Sequence, residues 1–165
     1  MHGHRFLTLA VSALAVTGCI PFRSQKTPKP VVEVTTTDAN LNSRWHASIA
    51  SPADLAGAVQ MSGSASMTPG SNSGNTDVAL NLANAAPGGF HPWQVHRGQC
   101  GADEGVFGPT EAYKSIAIDN KGRGSESVTV PIAIPTNGMY YVSVSASTAN
   151  AETIVACGNL APPTQ

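Results

Sequence analysis

The sequence predicts an all-β domain of about eight antiparallel strands, closed as a sandwich or barrel. Three observations carry that reading. Short runs rich in β-branched and aromatic residues recur through 41–165, each bounded by turn-forming residues. The 16 Gly and 12 Pro interrupt nearly every window long enough for a helix. Only 12% of the residues are charged, while Ser, Thr, Asn, Ala and Gly abound, which suits a turn-rich β-protein.

The elements follow in order. Trp45 to Ala50 is the first strand, ended by Ser51-Pro52. Ala58 to Met67 is the second, and Thr68 to Thr76, with Pro69, Gly70 and Gly74, turns the chain. Asp77 to Ala83 alternates Val78, Leu80 and Leu82 with polar partners, so one of its faces is buried. Trp93 to His96 is the fourth, after Pro87-Gly88-Gly89. Tyr113 to Ile118, Glu126 to Ile134, Met139 to Ser145 and Thr153 to Cys157 complete the set. Asp119-Asn120-Lys121-Gly122 and Thr136-Asn137-Gly138 read as hairpin turns, with Gly where φ must be positive. Periodicity does not give the strand order.

Ahead of this domain, Met1 to Arg5 is basic, Phe6 to Val16 is apolar, and small residues precede Cys19. That is the layout of a secretory signal peptide over 1–18. Its apolar run is too short to span roughly 30 Å of hydrocarbon. Val16-Thr17-Gly18-Cys19 resembles the lipobox of bacterial lipoproteins, which implies that Cys19 becomes the lipidated, palmitate-bearing N-terminus. The other reading is an ordinary signal peptide with a cysteine near its cleavage site. Ile20, rather than Asp, follows the cysteine, which by the same resemblance favours the outer membrane of a bacterial envelope. Residues 19–40, with Pro21, Pro28, Pro30 and few apolar residues, read as a semi-extended tether. The expected product is exported, faces the periplasm or cell surface, and is held on the membrane by its lipid. A net charge of −1 offers no basic footprint for nucleic acid.

With Cys19 given to the lipid, Cys100 and Cys157 remain in an oxidising compartment. They are expected to pair, the other reading being two separate buried thiols. The bond would close a loop of about 57 residues, worth roughly 4 kcal/mol on the chain-entropy account. Gly89-Phe90-His91-Pro92-Trp93-Gln94-Val95-His96-Arg97-Gly98-Gln99-Cys100 resembles the Cu/Zn superoxide dismutase segment in which a His-x-His strand leads into a cysteine loop. Gly108-Pro109 follows as in that family, and Ile154-Val155-Ala156-Cys157-Gly158 looks like its closing strand, which carries the second cysteine of the disulfide. The resemblance covers nearly all of Trp45 to Leu160. It implies an eight-stranded Greek-key β-barrel.

The family's bimetal site, six histidines and an aspartate, does not carry over. Of five histidines, His2 and His4 leave with the signal peptide, so His46, His91 and His96 remain. By the resemblance, Gln94 holds the first place of the His-x-His pair, and only His96 survives there. Thr110 stands at the metal-bridging place after Gly108-Pro109, and the late copper ligand aligns near Ser145. Thr153 and Ile154 occupy the region of the anion-guiding arginine. An amide is a poor copper ligand beside imidazole. Asp103, Glu104 and Asp119 read as solvated loop acids, and no nucleophile motif or phosphate loop is present.

The expected function is therefore a non-catalytic binding or structural module in the envelope, with no resident cofactor. Its partner, a protein of the envelope, would dock on the loops Gly98 to Pro109 and Thr68 to Thr76. Trp93, Arg97, Phe107 and Tyr113 are the exposed candidates, Trp93 being equally readable as core. The alternative is a copper- or zinc-handling or residual redox protein that uses His96 with His91 or His46.

Overall fold

In the first strand, a large apolar side chain at every second position puts one face in the core. In the computed structural model, which describes residues 44–55 and 60–164, Trp45–Ala50 (β1) buries Trp45, Ala47 and Ile49 and exposes His46, Ser48 and Ala50. The predicted signal peptide (1–18) and tether (19–40), Cys19 included, lie outside the described residues. Among the described residues, no helix is long and apolar enough to cross a membrane.

The remaining strands are Ser62–Pro69 (β2), Thr76–Ala83 (β3), Phe90–His91 (β4), Trp93–Gln99 (β5), Ala102–Val106 (β6), Ile116–Ala117 (β7), Gly124–Val130 (β8), Tyr140–Ser147 (β9) and Asn150–Leu160 (β10). Eight of them form one antiparallel sheet in the order β6-β5-β9-β10-β1-β2-β3-β8, while β4 and β7 make a separate two-stranded ribbon. The fold is thus all-β, as predicted. Inward residues from β1, β2, β3, β5, β8, β9 and β10 join one core that includes Trp45, Met67, Leu80, Trp93, Val130 and Val144. A single sheet can bring all its strands to one core only by curling.

Register sorts the loops onto two ends. Trp45 lies opposite Met67, Thr76 opposite Val130, and Tyr140 opposite Leu160, so one end gathers the start of β1, the β2–β3 turn and the β8–β9 loop. Trp45 fastens this end: its Nε1 donates to the Pro135 carbonyl at 3.0 Å, and its ring meets Tyr140 edge-on at 5.3 Å. The fully buried Thr76 hydroxyl donates to the Ile132 carbonyl at 2.7 Å, which satisfies a polar group within the core. The turn at Asp119 belongs to the opposite end and forms as predicted. Gly122 has φ of 73°, and its N–H donates to the Asp119 carbonyl at 3.1 Å.

Several local expectations need correction. The stretch Gly98 to Pro109 is not simply a loop. It contains β6, which pairs with β5 through Gly98↔Asp103 and Gln99↔Ala102. Gly98 (φ 95°) permits the register shift there, because a side chain at that position would strike the Ala102 carbonyl. Thr68 to Thr76 is a tight hairpin, closed by Gly70 N–H donating to the Asn75 carbonyl at 2.9 Å. Tyr113 to Ile118 is a strand only at Ile116–Ala117, because a 3-10 turn at Thr110–Ala112 comes before it. Trp93 and Phe107 are core residues, at 1% and 5% exposure, and Tyr113 is half-buried; Arg97 alone of the four is exposed.

Candidate functional site

On β5 and β9, Trp93, Val95, Val142 and Val144 face the core, so alternation turns Gln94, His96, Tyr141, Ser143 and Ser145 to the other face. Gln94 lies opposite Ser143, and His96 opposite Tyr141. This second face is not open to water, because Tyr141, Ser143 and Ser145 are all buried. The chain from Cys100 to Ser115 folds along it, leaving a groove of about 1170 Å³. Thr110, Tyr113 and Ser115 form one wall, and Ser51, Thr148 and Glu152 contribute from the other strands.

Two fastenings hold that covering segment. Cys100 and Cys157 are joined as a disulfide, with Cα atoms 6.1 Å apart, and the Cys100 N–H donates to Asn159 Oδ1 at 2.8 Å. The second is the His96–Asp103 pair, with Nδ1 and Oδ1 separated by 2.8 Å. The His96 ring also stacks on Tyr141, centroids 5.0 Å apart. Gly105 N–H donates to Asp103 at 2.9 Å and, with His96 and Tyr141 and against the opposing effect of burial, holds the Asp103 carboxyl below its ordinary range. Burial, and then the neighbouring Asp103 charge, push the Tyr141 phenol up to about 12. Burial also drives the Tyr113 phenol far upward, and its hydroxyl donates to the Phe107 carbonyl at 2.6 Å.

Gln94, His96, Thr110 and Ser145 all line this one groove. The other two histidines do not. His46 sits exposed on β1, and His91 is buried, with Nδ1 3.0 Å from the Ser145 carbonyl and Nε2 without a partner. Among the described residues, no group of three or more His, Cys, Asp or Glu side chains could hold a metal ion. At this groove Gln94 contributes an amide, Thr110 and Ser145 hydroxyls, and His96 an imidazole.

The acidic residues are not a cluster. Asp119 turns its carboxylate onto the Lys121 and Arg123 N–H groups of its own hairpin, which hold it below the ordinary range, the Arg123 bond most strongly. Asp103 is instead part of the groove. A carboxylate seven residues from a histidine across a Gly-containing hairpin (Gly98, Gly101) is the pattern that could have revealed it.

Asp103 engages Nδ1 of His96 and so fixes the orientation of the ring. Among the described residues the side-chain hydrogen bond of His96 is to Asp103. The groove offers neutral donors and acceptors, aromatic edges, and two carboxylates, Asp103 and Glu152, with no Lys or Arg among the described residues that line it. Such a lining fits ligands rich in hydroxyl, amide or cationic groups. No protein-family model matches the chain, and no curated protein matches it.

Proposed function

We propose that this chain is an exported bacterial lipoprotein, anchored through Cys19 to the outer membrane, whose domain is a superoxide dismutase-like Greek-key barrel serving as a non-catalytic binding module. The observation that carries this reading is the groove. Gln94, Thr110 and Ser145, which by resemblance stand at former metal positions, converge there with the one surviving imidazole, His96. The strand order supports the same ancestry, since β3–β8, β5–β9 and β1–β10 are neighbours in the sheet but not in sequence. So does the Cys100–Cys157 link between the two segments that carry the resemblance.

With its donor set reduced to one histidine, the groove is a polar cleft for an envelope partner rather than a redox centre. A single copper or zinc on His96 is the second reading. It is favoured by Asp103, which orients the ring and leaves Nε2 free in the way carboxylates support metal-bound histidines. Dialysis of the purified chain against copper and zinc decides between them. The binding-module reading expects sub-stoichiometric metal and no superoxide turnover above free copper. One metal per chain, abolished by His96→Ala, would establish the second reading instead. The anchor has its own test: a palmitate analogue should label the wild type and spare Cys19→Ala.

A further inference from the structure

The two ends of the sheet differ in charge. At the end where β1 begins, residues 68–76 (the β2–β3 turn), 131–139 (the β8–β9 loop) and 158–164 (the close of β10 and its tail) contain no Asp, Glu, Lys or Arg. At the opposite end, the loops carry Asp54, Asp119, Lys121 and Arg123, and β10 opens with Glu152. The uncharged end also exposes apolar side chains. Ile132 is 40% and Met139 57% exposed, with Pro131 and Ala133 open beside Ile132. Isolated exposed apolar residues need no explanation, but a group of them on a charge-free surface does.

Three contacts place this patch beside the point where the preceding chain joins the domain. Trp45, next after Arg44, donates to Pro135 inside the 131–139 loop. The Trp45 ring touches Tyr140, the neighbour of Met139. Gly98 N–H holds the Met139 carbonyl at 2.9 Å, which sets Met139 beside exposed Arg97. Arg44 and Arg97, both exposed, adjoin the residues that make these contacts, though Glu104 lies close to Gly98 and Asp77 one residue inside β3.

We propose that this end is a lipid-docking surface: the 131–139 loop, led by Ile132 and Met139, rests in the interfacial layer of the bilayer that holds Cys19. This inference rests on the Cys19 anchor proposed above. The argument is one of location and effective concentration. The chain from Cys19 enters the domain at its β1 end, so that end is the first the tether reaches along the sequence. Tethering supplies a local concentration of about the millimolar range, so a patch too weak to bind a membrane alone is sufficient. Burying apolar side chains without carrying charges into the interface is favourable, and an Arg beside them suits anionic headgroups. The same geometry turns the charged end, with the groove-lining Thr148 and Glu152, toward the aqueous side.

The test uses the full lipidated chain, purified from envelopes and reconstituted into vesicles of phosphatidylethanolamine with a minor share of phosphatidylglycerol. A fluorophore is attached at Met139→Cys or, as control, at Phe90→Cys. Phe90 is the most exposed large apolar residue (65%) and lies on β4, among the charged loops. Lipids with a nitroxide near the headgroup should quench the 139 probe several-fold more than the 90 probe. Ile132→Ser in the same chain should remove much of that difference. Equal quenching of the two probes, in protein that floats with the vesicles, would overturn the docking surface and leave the anchor intact. A 139 probe shielded from aqueous iodide but untouched by lipid quencher would also overturn it, in favour of a second copy or the chain's own N-terminal segment. Protein that fails to float, with no palmitate label, would defeat the anchor and the docking surface together.

Discussion

Along β1, β2, β3 and β8, the ladders run from Trp45↔Met67 through Leu82↔Gly124 without a slip. β5–β6 and β9–β10, in contrast, pair through register shifts near Gly98 and between Asn150 and Ala156. The regular half buries aliphatic residues on one face and ties its outer face with side-chain rungs, Thr129 to Asp77 and Ser125 to Asn81, each 2.6 Å. The irregular half packs one face against the core, and on the other Tyr141, Ser143 and Ser145 are buried along the groove in place of aliphatics. A strand pair that keeps strict register makes a wall. One that slips re-aims its side chains, and shifts of this kind concentrate next to binding sites. The regular half is a continuous wall, and the irregular half lines the groove.

The most forceful way to break that contrast is to cut the disulfide. Replacing Cys100 and Cys157 with Ala should cost about 4 kcal/mol in urea unfolding, since it frees a closed loop of 57 residues. Hydrogen exchange on the same variant should rise first in β6 and the neighbouring ends of β5 and β10, with β2 and β3 still protected. Uniform exchange would mean that the two halves share one stability. Leu80→Ala, at a fully buried β3 position, is expected to cost about 3 kcal/mol. It should leave binding in the groove unchanged once folded, which calorimetry with any identified ligand can check. Trp45→Phe removes the donor to Pro135 and part of the Tyr140 contact, so a loss of about 2 kcal/mol is expected, together with faster exchange in 131–139.

The smallest effect belongs to the groove's ion pair. Asp103→Asn should cost about 0.5 kcal/mol at neutral pH, because the carboxylate is largely exposed and screened by solvent. The sign with pH follows from its lowered folded value. The stabilisation is present above the ordinary carboxylate range and is lost as pH falls through the depressed value, so wild type and variant should converge in acid. A gap that persisted in acid would show that packing, rather than charge, accounts for the loss.

How much of this was legible in the chain depends on what shaped each element. β1 and β3 were read nearly to the residue, because their alternation reflects the core directly. β6 was missed because Ala-Asp-Glu-Gly-Val has neither alternation nor β-branched bulk. Its strand form comes from pairing with β5, and its charges suit an edge. β10 runs 11 residues, well beyond the stretch from Thr153 to Cys157, because the polar Asn150–Glu152 carries no apolar signal. Tyr113 resembled the start of a strand, but its hydroxyl is committed to Phe107 in a turn. At the site, the pairing of Cys100 with Cys157 could be expected, whereas the covering of Ser143 and Ser145 could not. That depends on where a distant segment lies, which no local pattern encodes.

The antiparallel bridge between His46 and Ala161, in which each N–H donates to the other's carbonyl at 3.2 and 2.8 Å, sets the first and last strands of the domain side by side. A few residues could therefore join the end of β10 to the start of β1, and the chain could be reopened at the exposed Asp119–Gly122 turn on the far end. Such a circular permutant would keep every ladder described above while moving both chain ends to the far end of the sheet. Anything joined to either end would then leave the domain from its charged side.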